Sequence, residues 1–328
     1  MDVILHIGAH RTGTTTLQRF LDRNRAMLRE AGVIAWTPRH LRGGMLDGLM
    51  RRPEDTGPAD LLRIERAIGR LRIAHQVALR DGTRQLILSD ENLIGAARDN
   101  LRAGRLYPGL VERLSRLRPA FDQVSRIGLA VRGYEGYWSS ACAFAVARGH
   151  RMPDAAALDR LVTQPRRWRH VVTEVAKIFP EAELRVWSFE HGAGRPEWQA
   201  GLLTGSPSSG GPTTGAPCFT PGLPGARDRC AASPRVATLR AVLTDAGLPV
   251  TALPDGDARW VPFDAEQRRA LDALYRDDIA WLRAGADGLA IFEGGPTAPV
   301  TGEADGIRGV PPPPMTGGQD LGRRHLTG

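Results

Sequence analysis

Between Gly8 and Thr15 the chain reads Gly-Ala-His-Arg-Thr-Gly-Thr-Thr, directly after the apolar run Val3 to Ile7 and directly before a helical pattern. A strand-to-helix turn with free glycines exposes several backbone N–H groups at a helix N-terminus. Those donors, together with the helix dipole, bind anions. Arg11 adds a positive charge, and the hydroxyls of Thr12, Thr14 and Thr15 are expected to face the same place. The spacing Gly8-x4-Gly13 fits a nucleotide phosphate loop, but the lysine that would follow Gly13 is Thr14. That lysine reaches the β- and γ-phosphates in such loops, so a magnesium nucleoside triphosphate is the weaker reading. The plain alternative is a βα turn whose threonines cap a helix.

"HIGAHRTGTTTLQ" resembles the phosphosulfate-binding loop of sulfotransferases that use 3′-phosphoadenosine 5′-phosphosulfate (PAPS), bacterial members included. "LAVRGYEGYWSS" resembles the family's second element, in which a strand ends in an arginine and a serine follows eight residues later; here these are Arg132 and Ser140. Helical geometry lets such a pair converge on one phosphate. "LYRDDIAWL" is similar to the closing helix of the bacterial members. The order of elements follows the family over roughly residues 2–285.

This resemblance implies a nucleotide held by Arg11, Thr12, Gly13, Thr14 and Thr15 at its 5′ end and by Arg132 and Ser140 at its 3′-phosphate. It also implies that Arg11 takes the place of the family's lysine, which stabilises charge on the bridging oxygen as the sulfuryl group departs. No metal is implied. Glu91, in "LILSDENL", lies just past the end of a strand on the same sheet edge and is the candidate general base, with His10 second. The alternative for Asp90 or Glu91 is to cap the segment that follows. His6 reads as a half-buried, satisfied histidine, and Glu190 as a residue that fixes structure or the acceptor. The late basic loop that closes over the nucleotide in the family is matched to Arg227, Arg229 and Arg235. The implied partner is a hydroxyl-bearing acceptor, such as a carbohydrate or small metabolite. The other readings carried forward are a P-loop nucleotide kinase and a non-catalytic nucleotide-binding protein.

These residues need elements to position them. Val3–Ile7, Val33–Trp36, Gln85–Ser89, a stretch ending at Arg132 and one ending near Glu190 read as strands. Helical patterns lie between them, over Leu17–Leu28, Leu61–Gly82, Leu106–Leu117, Tyr134–Arg148 and Trp168–Pro180. Two more helices follow, at about Pro234–Ala246 and Asp264–Ala284. Strands alternating with helices predict an α/β fold of three layers: a mainly parallel sheet, helices on both faces and a P-loop-like turn after the first strand. One domain over residues 1–292 is expected, with a loop-rich insertion at about 205–232 and a Pro/Gly-rich, disordered tail over 293–328. The loops at 37–58, 150–165 and 205–232 are expected to shape the acceptor pocket.

The 328 residues carry a net charge of +8, which favours an anionic partner. Arginine supplies all but one of the 44 basic residues, Lys177 being the single lysine. Arginine standing where a related sequence has lysine therefore fits the whole chain. The charge is scattered, without a basic stripe studded with aromatics, so no nucleic-acid partner is expected. No apolar stretch reaches the roughly 20 residues of a membrane helix, and no signal-peptide pattern opens the sequence. A soluble, cytoplasmic protein with reduced Cys142, Cys218 and Cys230 is the expectation.

Overall fold

The computed structural model describes residues 1–205, 219, 223–225, 230 and 232–294. The chain starts with β1 (Asp2–Gly8), α1 (Thr14–Arg23), α2 (Arg25–Glu30), β2 (Val33–Trp36), α3 (Pro38–Leu41), α4 (Pro58–Arg80) and β3 (Gln85–Ser89). It continues with α5 (Ala97–Ala103), α6 (Leu110–Leu117), β4 (Arg126–Val131), α7 (Tyr134–Val146), α8 (Ala155–Thr163), α9 (Trp168–Ile178) and β5 (Glu183–Ser188). Then follow α10 (Phe189–Gly192), α11 (Pro196–Thr204), α12 (Val236–Asp245), α13 (Ala265–Arg283) and β6 (Ile291–Phe292). The six strands form one sheet in the order β2-β3-β1-β4-β5-β6, every neighbouring pair parallel. This is the α/β fold expected of the alternating pattern.

Strand residues divide by parity between the two faces, as side chains on a pleat must. Val3, Leu5 and Ile7 of β1, with Leu86 and Leu88 of β3 and Ile127, Leu129 and Val131 of β4, pack beneath α4, α6, α7, α9 and α13. Ile4, Ile87 and Ala130 point the other way, toward α1, α2 and α11 through Leu17, Phe20, Leu21 and Leu203. A sheet covered on both sides buries its central strands completely: Leu5 and Ile7 expose nothing. Each such side chain contributes about 1.5–3 kcal/mol on leaving water.

Because all strands run the same way, their C-terminal ends share one edge. The three central strands β3, β1 and β4 there deliver Asp90 and Glu91, the turn after Gly8, and Arg132. Ligands of open α/β sheets bind along this edge.

Several local expectations differ from the fold. The first helical pattern is two helices, because the chain leaves helical geometry at Asn24, whose side-chain amide donates to the carbonyls of Phe20 and Pro224. The span 40–58 is mostly turns, yet it buries Leu41, Leu46 and Leu49. Within 150–165 lies α8, started by Asp154, whose carboxylate accepts from the Ala157 N–H. The two-residue strand β6 carried too little sequence to be anticipated. The loop-rich and Pro/Gly-rich stretches at 206–218, 226–229 and 295–328, with Cys218, Arg227 and Arg229, lie outside the described residues. Cys142 and Cys230 are free thiols. No helix among the described residues is long and apolar enough to cross a membrane.

Gly128 lies in the middle of β4, where a Cβ would stand 2.5 Å from Leu203 Cδ2 and 2.9 Å from Trp187 Cη2. Its missing side chain lets the Trp187 ring and α11 pack directly on the strand. Gly128→Ala is expected to destabilise the protein by about 1–3 kcal/mol through overpacking, read as a lowered urea midpoint at unchanged slope.

Candidate anion-binding site

The turn after β1 is built from three left-handed residues: Gly8 at φ 75°, Arg11 at 63° and Gly13 at 83°. Glycine reaches this region freely, whereas Arg11 is held there at a cost of about 1–3 kcal/mol. Gly8 has a second reason to be glycine, since a Cβ there would lie 2.8 Å from Glu91 Cβ and 2.9 Å from Thr14 Cγ2. Gly13 forms the N-cap of α1 and offers no side chain to cap it. Among the described residues the N–H groups of Gly13, Thr14 and Thr15 meet no protein acceptor. The start of α1 therefore presents uncapped donors and the positive end of the helix dipole.

The hydroxyls do not all face this opening. Thr12 is buried and donates its hydroxyl to the Ala9 carbonyl at 2.6 Å, so it braces the turn from within. Thr14 is buried against Gly8, while Thr15 is half-buried. Thr16 accepts the backbone N–H of Cys230 at 3.2 Å, tying a late loop to α1.

Arg11 and Ser140, 129 residues apart, meet directly: Arg11 Nε donates to Ser140 Oγ at 2.8 Å. Arg11 Nη2 donates to Ser233 Oγ at 3.3 Å, and the two serine hydroxyls are 2.5 Å apart. The Arg11 guanidinium also lies over the Phe144 ring, which Arg148 covers as well. The guanidinium thus turns toward the serine of α7, on the side that the sequence assigned to Arg132 and Ser140 rather than to a separate 5′ pocket. Arg132 Nη1 donates to the Arg11 carbonyl at 2.6 Å, and its guanidinium stacks on Phe189 at 4.2 Å. The Trp168 indole N–H holds the Arg132 carbonyl at 2.8 Å.

Sequence reasoning missed two members of this group. A Cβ on Gly136 would stand 3.0 Å from Arg132 Nε and 3.5 Å from Arg259 Nη2, so the absent side chain leaves room for both guanidinium groups. Arg259 is paired to Glu135 at 3.1 Å, while among the described residues Arg132 has no carboxylate partner. Burial and the nearby Arg259 pull Arg132 down to about 10, so it keeps its charge at neutral pH. Ser233 is the other omission. It lies two residues before Arg235, whose own guanidinium donates to the Asp257 carbonyl and serves the fold instead of the turn. The backbone bridge between Arg235 and Arg259 brings the late basic segment to this place. No spacing rule links Ser233 or Arg259 to the turn.

Glu91 stands against Gly8 in a 3-10 turn, Glu91–Ile94, that follows β3. Its Oε2 accepts from Gln18 Nε2 at 2.9 Å and its Oε1 from Arg42 Nη2 at 3.0 Å. Burial alone would raise this carboxyl. Its neighbours His10, Gln18, a backbone N–H and Arg42 outweigh that and hold it at about 2. Asp90 is the capping residue: it is wholly buried, accepts the Asn92 N–H at 2.9 Å and receives two N–H bonds from Arg42. Glu190 accepts from the Gly133 N–H and the Tyr275 hydroxyl, a structural tie.

His10 lies in a chain of side chains. The Asn100 amide donates to Tyr137, the Tyr137 hydroxyl to Tyr107 at 3.4 Å, and the Tyr107 hydroxyl to His10 Nδ1 at 3.2 Å; His10 Nε2 donates to Asn92 Oδ1 at 3.1 Å. Burial lowers His10, so the ring is neutral with both nitrogens engaged. His6 is fully buried rather than half-buried. Its Nδ1 meets Ser89 Oγ at 2.7 Å, its Nε2 has no partner, and its ring stacks on Trp187.

No protein-family model matches the chain, and no curated protein matches it. Among solved structures, the crystal structure of a sulfotransferase from Alicyclobacillus acidocaldarius is similar at a TM-score of 0.38 and 16% identity, spanning 88% of this chain and 96% of that one. At that level the likeness assigns no role to any residue.

Burial drops His6 to about 4 despite the attraction of Glu91. Between its ordinary value near 6.5 and 4, the unfolded chain binds the proton more readily, so stability falls as pH falls across that window. The loss amounts to about 3 kcal/mol, with His10 adding in the same direction. Glu91 acts at lower pH: its contribution is present above the ordinary carboxyl range and is lost toward about pH 2. Urea titrations of His6→Gln at pH 7 and pH 5 should show a smaller difference between the two pH values than the parent, the remainder belonging to His10. An undiminished difference would assign that limb to other groups.

Proposed function

We propose that this chain transfers a sulfuryl group from 3′-phosphoadenosine 5′-phosphosulfate to an acceptor hydroxyl. The observation that supports it most directly is the Arg11–Ser140 bond. Two sequence elements that separately resemble the nucleotide-binding elements of PAPS-dependent sulfotransferases, one after β1 and one spanning the β4–α7 junction, meet in a single place. The residues present suit such a donor. Arg132 bonds the Arg11 carbonyl beside the uncapped start of α1, with Arg259 close to it, and among the described residues Arg132 has no carboxylate partner, a setting that favours a multiply charged anion.

In the reaction the acceptor oxygen bonds to sulfur as the bridging S–O bond breaks, and the electron pair leaves with the phosphate as adenosine 3′,5′-bisphosphate. The chain's own residues supply position and charge. Arg132, Ser140, Ser233 and Arg259 would hold the 3′-phosphate, and the N–H groups of Gly13, Thr14 and Thr15 the 5′ end. Arg11, hinged at its left-handed backbone, would carry its guanidinium to the leaving oxygen. Positioning and charge stabilisation dominate transfers of this type. Glu91 is the base we assign, because it lies against the turn and is ionised, whereas both His10 nitrogens are engaged. A carboxylate held near 2 accepts a proton only as it leaves the hydroxyl. Its contribution falls toward the lower end of about 10²–10⁴-fold. A kinase needs a carboxylate free to hold magnesium, and Asp90 is instead occupied by Arg42 and the Asn92 N–H. A carbohydrate or small-metabolite acceptor belongs to the same proposal and carries no metal requirement.

Calorimetric titration with adenosine 3′,5′-bisphosphate beside magnesium ADP tests the donor. Preference for the bisphosphate is expected, with affinity weakened about 10- to 100-fold in Arg132→Ala and less in Arg259→Ala. Preference for magnesium ADP would overturn the reading. With turnover in hand, Arg11→Ala should lower kcat by about 10²–10³. Arg11→Lys should retain most of the rate; loss of the bisphosphate site in that variant would show that Arg11 serves the 3′ end alone.

A further inference from the structure

Arg42, the residue that follows α3, makes three hydrogen bonds to two carboxylates. Nε donates to Asp90 Oδ2 at 2.9 Å, Nη2 to Asp90 Oδ1 at 2.7 Å, and the same Nη2 to Glu91 Oε1 at 3.0 Å. Asp90 is fully buried and fixed by the Asn92 N–H, so it cannot follow a moving partner. The guanidinium plane is therefore set by Asp90, and its remaining reach is spent on Glu91. On the opposite side, Gln18 of α1 donates to the other oxygen of Glu91. A planar fork is the group that can do this; an ammonium has no fixed second donor direction.

We propose that Arg42 is a positioning residue for Glu91: anchored on buried Asp90, it fixes the Glu91 carboxylate against the turn, charged and with one lone pair left on each oxygen. The orientation follows from the geometry alone, and its consequence for turnover rests on the sulfuryl-transfer reading. The groups that face Glu91 are His6 of β1, His10 and Arg11 of the turn, Gln18 of α1, Arg42, Tyr107 and the adjacent Asp90. Arg42 is the arginine in ion-pair contact with the carboxylate, at 3.0 Å, while Gln18 is uncharged and His10 acts on Glu91 electrostatically from nearby. Burial pushes Glu91 upward, and the charge of Arg42, after His10, the Gln18 bond and a backbone N–H, is among the forces that hold it down.

The test is a carbon-13 titration of the Glu91 side-chain carboxyl in the full chain and in Arg42→Gln and Arg42→Lys. The parent should stay ionised to about pH 3, and Arg42→Gln should take up its proton about 1 unit higher than the parent. Arg42→Lys, which can still neutralise Asp90 and so guards against a failure to fold, should give a smaller shift of the same sign. A Glu91 midpoint unmoved in the lysine variant and in any folded glutamine variant overturns the proposal. Bisphosphate affinity measured on the same samples should change less than about twofold, because Arg42 touches none of the residues assigned to the nucleotide. If the parent binds no bisphosphate, the donor assignment falls, while the Glu91 titration still decides the role of Arg42. Where turnover is measured, kcat should fall about 10-fold in Arg42→Gln with the acid limb of its pH profile moved upward and the donor KM unchanged. A fall in kcat with an unmoved limb would mean that Arg42 acts by some route other than Glu91.

Discussion

The hydrogen bond from Arg132 to the carbonyl of Arg11, 2.6 Å long, joins the ends of the two central strands β1 and β4. Much of the site depends on it. A turn with three left-handed residues has no regular backbone ladder to hold it, so its shape comes from bonds made by its neighbours. Thr12 braces it from inside and Arg132 from beside. With the turn fixed, the Arg11 side chain leaves in the direction of α7 and the N–H groups at the start of α1 stay open. Arg132 is itself held by the Trp168 indole at its carbonyl and by Phe189 beneath its guanidinium, which passes the constraint outward to α9 and α10.

Charge around the edge of the sheet is sorted into two regions. At the β1–β4 side, burial and then the nearby Arg259 and Arg11 lower the proton affinity of Arg132, and burial and then Arg148 lower that of Arg11. At the β3 side, Asp90 and Glu91 share one arginine. Like charges at close range in a partly buried setting are unfavourable unless something of opposite sign is nearby. The first region therefore favours an anion, and the second keeps its carboxylates charged by a local cation. The turn lies between them, in contact with both through Gly8 and Arg11.

Histidines near the turn illustrate how burial redirects chemistry. His6 and His10 are both close enough to Glu91 to feel its charge, which would raise them, yet desolvation wins and both stay neutral. His10 is further committed to Tyr107 and Asn92, a tyrosine chain that reaches back to Asn100. A histidine in a loop reads as a candidate base from sequence; in this structure both ring nitrogens of His10 already have partners.

The alternation of apolar strands and amphipathic helices by itself determined the α/β architecture, because parity on a strand and the 3.6-residue period on a helix are local properties. It also determined the backbone shape of the first turn, since glycines at Gly8 and Gly13 flanking a helix start have one ready backbone solution. The placing of Arg132 at a strand end and of Ser140 on the next helix followed from local pattern, because both belong to one strand-helix junction. What only the tertiary structure decided was partnership across long separations. That Arg11 turns to Ser140, that Ser233 and Arg259 join from more than ninety residues away, and that Arg42 bridges Asp90 to Glu91 depend on strand order and loop paths. No local pattern encodes these meetings, because their free energy comes from groups that become neighbours only when the sheet is assembled.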